Sequence, residues 1–79
     1  MATDGLKDKE GIVIIRIRNG SIKERRVRVR GKSRIRDILL RAGINPEEVV
    51  IIKDEELITE DDFISEGEII EVLPVSLGG

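Results

Sequence analysis

Seventy-nine residues, 38% of them charged but with a net charge of only −2, and neither cysteine nor histidine, describe one small domain. They exclude disulfide staples, thiolate zinc sites, Cys/His nucleophile pairs and Ser-His-Asp triads. No apolar run approaches the roughly 18 residues of a membrane span, and Met1 to Gly11 is charged rather than signal-like, so a soluble cytoplasmic protein is expected. Charge is segregated along the chain. From Arg16 to Arg41 only Glu24 and Asp37 oppose the cations, and from Glu47 to Glu71 only Lys53 opposes the anions. If the two halves do not interleave in space, one face or edge is basic and another acidic.

Met1 to Glu10 is polar and aperiodic and reads as a flexible N-terminal tail. The folded domain is expected over residues 11–73, with a flexible C-terminal tail over 74–79. Ile12 to Arg18 is rich in β-branched residues and reads as a strand with Val13, Ile15 and Ile17 inward. Asn19-Gly20 signals a hairpin, and Val27-Arg28-Val29-Arg30 alternates on the return strand. A plain two-residue turn would pair Val13 with Arg26 and throw Val27 and Val29 outward. A three-residue loop over Arg18-Asn19-Gly20, with Ile22 outside, or a bulge within Lys23 to Arg26, keeps the valines inside.

Ser33 is placed to cap a helix of about ten residues whose apolar positions Ile35, Ile38, Leu39 and Ala42 share one face. Gly43 is the natural residue just past its end, with Ile44 folding back. Asn45-Pro46-Glu47 turns the chain into the apolar strand Val49 to Lys53. Asp54-Glu55 makes a short turn into an edge strand, Glu56-Leu57-Ile58. Thr59 to Gly67 reads as an acidic connection pinned by Phe63 and Ile64, and Ile69 to Leu73 as the last strand. The order β-β-α-β-β-β implies an α+β fold in which one mixed sheet grips one helix.

The sequence then ends Pro74-Val75-Ser76-Leu77-Gly78-Gly79. Fully extended, these six residues reach roughly 20 Å at about 3.3 Å each, enough to thread a carboxylate into another protein's channel. Without side chains, Gly78 and Gly79 let such a channel close on bare backbone. A terminal carboxylate, which ordinarily titrates near pH ~3.5, is ionised at neutral pH and attacks a nucleotide's phosphorus without a general base. The acyl-adenylate so formed passes its acyl group to sulfur or to an amine.

The helix ending Gly43-Ile44-Asn45-Pro46, the apolar strand, the acidic connection, Glu66-Gly67-Glu68, the run Ile70 to Val75 and the final Gly78-Gly79 together resemble the β-grasp sulfur carriers. That family includes the small subunit of molybdopterin synthase, the thiamine-pathway carrier and the archaeal ubiquitin-like modifiers, and the likeness covers roughly Gly11 to Gly79. The resemblance implies a protein co-substrate rather than an enzyme. Gly79 would be adenylated by a ubiquitin-activating-type enzyme using Mg-ATP, then converted to a thiocarboxylate, with Gly78, Leu77, Ser76, Val75 and Pro74 lying in the enzyme's channel. It implies no bound cofactor. It also implies a sulfur donor, a sulfur acceptor of the molybdopterin-synthase large-subunit or thiazole-synthase kind, and in some members lysines of target proteins. Molybdenum-cofactor, thiamine and transfer-RNA thiolation pathways all use carriers of this kind. Leu77 and Ser76 depart from the small and apolar residues common before the diglycine.

Docking of a partner enzyme calls for an apolar patch, for which Ile22, with Ile51 or Leu73 on the exposed side of the sheet, is the candidate. The alternative function is a non-covalent β-grasp interaction module that binds RNA through Arg25, Arg26 and Arg28 of the basic hairpin. Phe63 is the one aromatic residue, which leaves no base-stacking platform and argues against nucleic acid as the main partner. Glu60-Asp61-Asp62 lacks the glycine turn and distal glutamate of a calcium loop, so no metal site is expected.

Overall fold

A long hairpin opens the part of the chain that this computed structural model describes, residues 11–75. Its strands are β1 (Gly11–Asn19) and β2 (Ser21–Val29). The ladder runs unbroken from Gly11 opposite Val29, through Val13 opposite Val27, to Asn19 opposite Ser21. Odd residues therefore oppose odd ones and both valines are buried, as the alternation demands. The turn is centred on Gly20, at φ +81, one residue later than the expected loop. No bulge is needed between Lys23 and Arg26.

The main sheet has the order β2-β1-β7-β4-β5, with β4 at Val49–Lys53, β5 at Glu56–Ile58 and β7 at Ile69–Pro74. β7 runs parallel to β1, pairing Ile15 with Ile70 and Ile17 with Val72. It runs antiparallel to β4, pairing Ile51 with Val72 and Val50 with Leu73. The last strand is therefore central, and the mixed sheet packed on one described helix is a β-grasp. The structure adds a two-stranded ribbon of β3 (Lys32–Arg34) and β6 (Phe63–Ser65). Three-residue strands are too short to show a period, so the sequence reading placed a connection there.

Helix α1 (Ile35–Arg41) has seven residues instead of about ten. Ser33 does not cap it, because Ser33 is held in the ribbon opposite Ile64 and the N-cap position falls to Arg34, which makes no side-chain cap bond. The first helical N–H groups find backbone partners instead. Ile35 donates to the Asp62 carbonyl at 2.9 Å and Arg36 to that of Glu60 at 3.0 Å. The acidic connection is thus the helix cap. Asp62 folds it by accepting from the Thr59 N–H at 2.8 Å, and Arg36 pairs with Asp61. The far end closes as expected. Gly43, at φ +79, donates to Leu40, and Ile44 donates to Leu39 at 2.8 Å, the double bond pattern that satisfies the last carbonyls of a helix.

Between sheet and helix lie Val13, Ile15, Val27, Val29, Ile35, Ile38, Leu39, Ile51, Ile64, Ile70 and Val72, all buried, and no polar or charged residue among the described ones is buried with them. Ile17, Ala42, Ile44, Val49 and Ile58 pack around this cluster. Ion pairs stay at the surface. Lys53 contacts Glu68 at 3.2 Å, and the Glu68 carboxylate also accepts the Ser65 N–H at 2.7 Å.

The β4–β5 connection is a two-residue turn, since Lys53 pairs with Glu56. Asp54 and Glu55 both carry positive φ, at 53° and 68°. That mirror-image turn suits the strand twist, but it forces a glutamate into the left-handed region at a cost of about 1–2 kcal/mol. Glu55→Gly relieves the strain while adding unfolded-state entropy, for a net gain of about 0.5–1 kcal/mol. A calorimetric Tm raised by about 3–6 °C is the expected result.

The hydrogen bond from Ser65, and after it the Lys53 ammonium, hold the Glu68 carboxyl below the ordinary carboxylate range; Glu68 in turn raises the pKa of Lys53. A lowered carboxyl pKa contributes stability that is complete above the unfolded-state value and is lost as pH falls through the folded-state value. Urea titrations should therefore find Glu68→Gln less stable than wild type at neutral pH. The gap should close as pH drops below about 4. The contribution of Lys53 persists through neutrality and is lost only on the alkaline side of about pH 10.4.

Candidate functional site

The strand that leads to the C-terminal residues ends in the middle of the sheet. Pro74 pairs with Val49 at the start of β4, and the Val75 N–H donates to the Glu48 carbonyl at 2.9 Å, in the 3₁₀ turn Pro46–Glu48. That turn is fixed by Asn45, whose side chain accepts the Glu47 N–H at 3.0 Å. Pro74 and Val75 are both exposed. The chain is thus held by backbone bonds up to its seventy-fifth residue. Ser76, Leu77, Gly78 and Gly79 lie outside the described residues, as does the N-terminal segment 1–10.

Register fixes which side chains share the sheet face turned away from α1. Ile51, proposed from the sequence as a docking residue, is 4% exposed and belongs to the core. Its neighbours Val50 and Ile52 therefore point to the other face. Val50 lies opposite Leu73, and Ile52 opposite both Leu57 and Glu71. Leu73 is half-buried on this face, Leu57 is 74% exposed, and Ile22, at 58%, stands outward on the β2 edge as expected. A second apolar group, Ile12, Ile14 and Ile69, occupies the other end of the face, where Ile14 pairs with Ile69.

Between the two groups run charged side chains. Arg18 reaches Glu71 at 2.8 Å and Arg16 reaches Glu24 at 3.2 Å, both exposed pairs that orient side chains more than they stabilise. Beside them a shallow recess of about 300 Å³ is lined by Arg16, Ile52, Asp54, Glu55, Ile69, Ile70 and Glu71. No group of histidine, cysteine or carboxylate side chains among the described residues is placed to hold a metal ion. Such a surface can recognise a partner, whereas it offers no nucleophile. The sequence reading missed Val50 and Ile52 because Val49 to Ile52 is continuously apolar and carries no alternation to betray its inward face, and Leu57 because its three-residue strand is too short to show a period.

Residues 12–75 match the family model for small archaeal modifier protein 2. The chain belongs to that family. The match runs to Val75, whose N–H is tied to the Glu48 carbonyl. The small archaeal modifier proteins are among the β-grasp sulfur carriers and ubiquitin-like modifiers that the sequence resembles. A curated relative, the sulfur carrier protein TtuB of Thermus thermophilus, is 39% identical over 57 residues, covering 72% of this chain and 88% of the relative. No helix among the described residues is long and apolar enough to cross a membrane.

The two faces of β4 give this family member a direct test. Ile51→Ala should cost about 2–5 kcal/mol in urea denaturation, as a core truncation does. Leu57→Ala should stay within about 0.5 kcal/mol of wild type. Equal, small costs would return Ile51 to the exposed face.

Proposed function

We propose that this protein is a ubiquitin-like sulfur carrier, acted on by enzymes rather than being one, whose chemistry lies at the carboxylate of Gly79. The observation that carries this reading is the family match over residues 12–75, together with the relative named as a sulfur carrier. The geometry suits it. β7 delivers the chain from the centre of a stable sheet, so whatever grips residues 74–79 pulls against backbone bonds on both flanks of that strand.

In the proposed reaction a ubiquitin-activating-type enzyme binds Mg-ATP and residues Pro74 to Gly79. The Gly79 carboxylate attacks the α-phosphorus, and pyrophosphate leaves. A sulfur nucleophile then displaces AMP from the acyl-adenylate. Delivered as hydrosulfide, it gives the thiocarboxylate directly; delivered as a persulfide, it gives an acyl disulfide that a thiol must reduce with two electrons. Attack by a lysine amine would instead give an isopeptide with a target protein. Gly78 and Gly79 let the channel close around backbone alone.

The activating enzyme docks, in this reading, on the face bearing Leu73, Val50, Ile52 and Leu57. Leu73 is in that patch and one residue before Pro74, so a protein holding the tail must pass over it. Ile22 lies on the same face at the β2 edge; Ile51 has no part in docking.

Deleting Gly78 and Gly79 should abolish ATP–pyrophosphate exchange by the activating enzyme while leaving the melting curve unchanged. Undiminished exchange by the shortened chain would overturn the proposal. On the intact chain from its native cells, mass spectrometry should find one terminal oxygen replaced by sulfur.

A further inference from the structure

Among the described residues β2 pairs with β1 alone, so it is an edge of the main sheet. Parity places its backbone bonds. The Ile14 N–H donates to the Glu68 carbonyl and the Ile12 carbonyl accepts from Gly67, so the even residues of β1 bond towards β7 and the odd ones towards β2. Odd residues pair with odd, and Lys23, Arg25 and Val27 therefore spend their N–H and carbonyl groups on β1. Glu24, Arg26 and Arg28 turn theirs outward. The Arg28 carbonyl meets a side-chain N–H of Arg41 at 2.7 Å, which fixes the same parity independently. The outward groups of Glu24 and Arg26 and the Arg28 N–H bond to no described residue.

Charge surrounds this open ladder on both sides. Lys23 and Arg25 share the face of the core valines, whereas Arg26 and Arg28 stand on the face turned away from α1. All four are exposed, and none has a carboxylate partner among the described residues. The one acid of β2, Glu24, is taken by Arg16. Elsewhere Arg18, Arg34, Arg36 and Lys53 each meet an acid. We infer that the β2 edge binds an acidic peptide segment in extended conformation, which joins the sheet as a further strand.

An extended peptide supplies what the edge lacks: an N–H and a carbonyl at every second residue, in the alternation that Glu24 and Arg26 present. Its carboxylates then fall beside cations whichever face they take. A second copy of β2 would set cations against cations, so the charge selects among strands. Edge protection alone is the simpler reading, but a charge or two suffices for it. A nucleic acid would also meet the charge. However, phosphates only accept hydrogen bonds and would leave the outward carbonyls unanswered. The sole aromatic, Phe63, lies in β6 rather than at this edge.

Position keeps the site separate from the chemistry at Gly79. Strands lie about 4.8 Å apart, so a strand added beyond β2 runs about 14 Å from β7 and leaves the Pro74 end of β7 open.

The test is a titration of the full-length ¹⁵N-labelled chain, at constant ionic strength, with a short end-blocked peptide alternating valine and glutamate. Saturable amide shifts along β2 are expected, with hydrogen exchange slowed at Glu24, Arg26 and Arg28 and unchanged at Lys23, Arg25 and Val27. That alternation marks strand addition, which charge attraction alone would not produce. Replacing Arg25 and Arg26 together by glutamine should weaken binding about five- to tenfold. Replacing Arg34 and Arg36, which removes the same charge from the ribbon and helix, should change it by less than about twofold. The same peptide with lysine in place of glutamate should not bind. Shifts that never saturate, slowing without regard to parity, or equal binding of the lysine peptide would overturn the proposal. So would tighter binding of a single-stranded oligouridylate that displaces the peptide, since the edge would then be a nucleic-acid surface.

Discussion

Everything in this molecule hangs on the pairing of β7. It is the one strand of the main sheet that touches both the N-terminal hairpin and the β4–β5 hairpin, so without it the sheet divides in two. Ile70 and Val72 are fully buried, and they pair with Ile15 and Ile17 on one side and Ile51 on the other. These contacts join residues more than fifty positions apart in the case of β1 and β7, so they are entropically costly to bring together and form at the end of a long chain closure. The consequence is mechanical. β7 cannot be displaced without breaking the sheet at its middle.

The charge segregation resolves in space into two distinct outcomes. Glu60, Asp61 and Asp62 fold back onto the start of α1, where the carbonyls of Glu60 and Asp62 cap the helix and the side chains of Glu60 and Asp61 meet Arg34 and Arg36. The acids there are structural: carbonyls satisfy N–H groups that would otherwise cost free energy, and the exposed ion pairs around them add little each. Among the described residues the β2 edge has no comparable acidic partner beyond its own Glu24. A long, positively charged edge strand resists edge-to-edge pairing with another copy of itself, one way in which a small sheet protein stays soluble.

Much of the fold was legible because the strands carry alternation and the turns carry glycine. Ile15 and Ile17 lead into alternation with Arg16 and Arg18, Val27 and Val29 alternate with arginines, and one parity buries Val13, Ile15, Val27 and Val29 together, so the hairpin face was determined before its turn was. Gly43 and Ile44 announced the helix end by residue type alone. Legibility failed where a signal was local but its competitor was distant. Ser33 is a good cap by propensity, yet pairing with Ile64 removed it from that role, and the carbonyls that took over belong to Glu60 and Asp62, far along the chain. Backbone carbonyls have no sequence signature. Ile51 was misplaced for a different reason: in Val49-Val50-Ile51-Ile52 every residue is apolar, so the run reveals a strand and hides its faces. The family resemblance could not repair that error, since it used the apolar strand as a whole and not the face that each of its residues occupies.

The division of labour follows from the core. Among the described residues no buried side chain is polar or charged, and every buried one is aliphatic. Such a core gains its stability from area removed from water, without strained or half-satisfied groups of the kind that active sites keep at a cost. A catalyst on so small a domain would have to spend part of a small stability margin on such groups. A carrier does not. On the proposed reading the reacting group is the carboxylate of Gly79 and the reagents come from a partner, so the core is not asked to hold such groups. The two faces of the sheet are separated by register: Val50, Ile52, Leu57 and Leu73 are set outward in β4, β5 and β7, while Ile51, Ile70 and Val72 on the opposite face pack into the core.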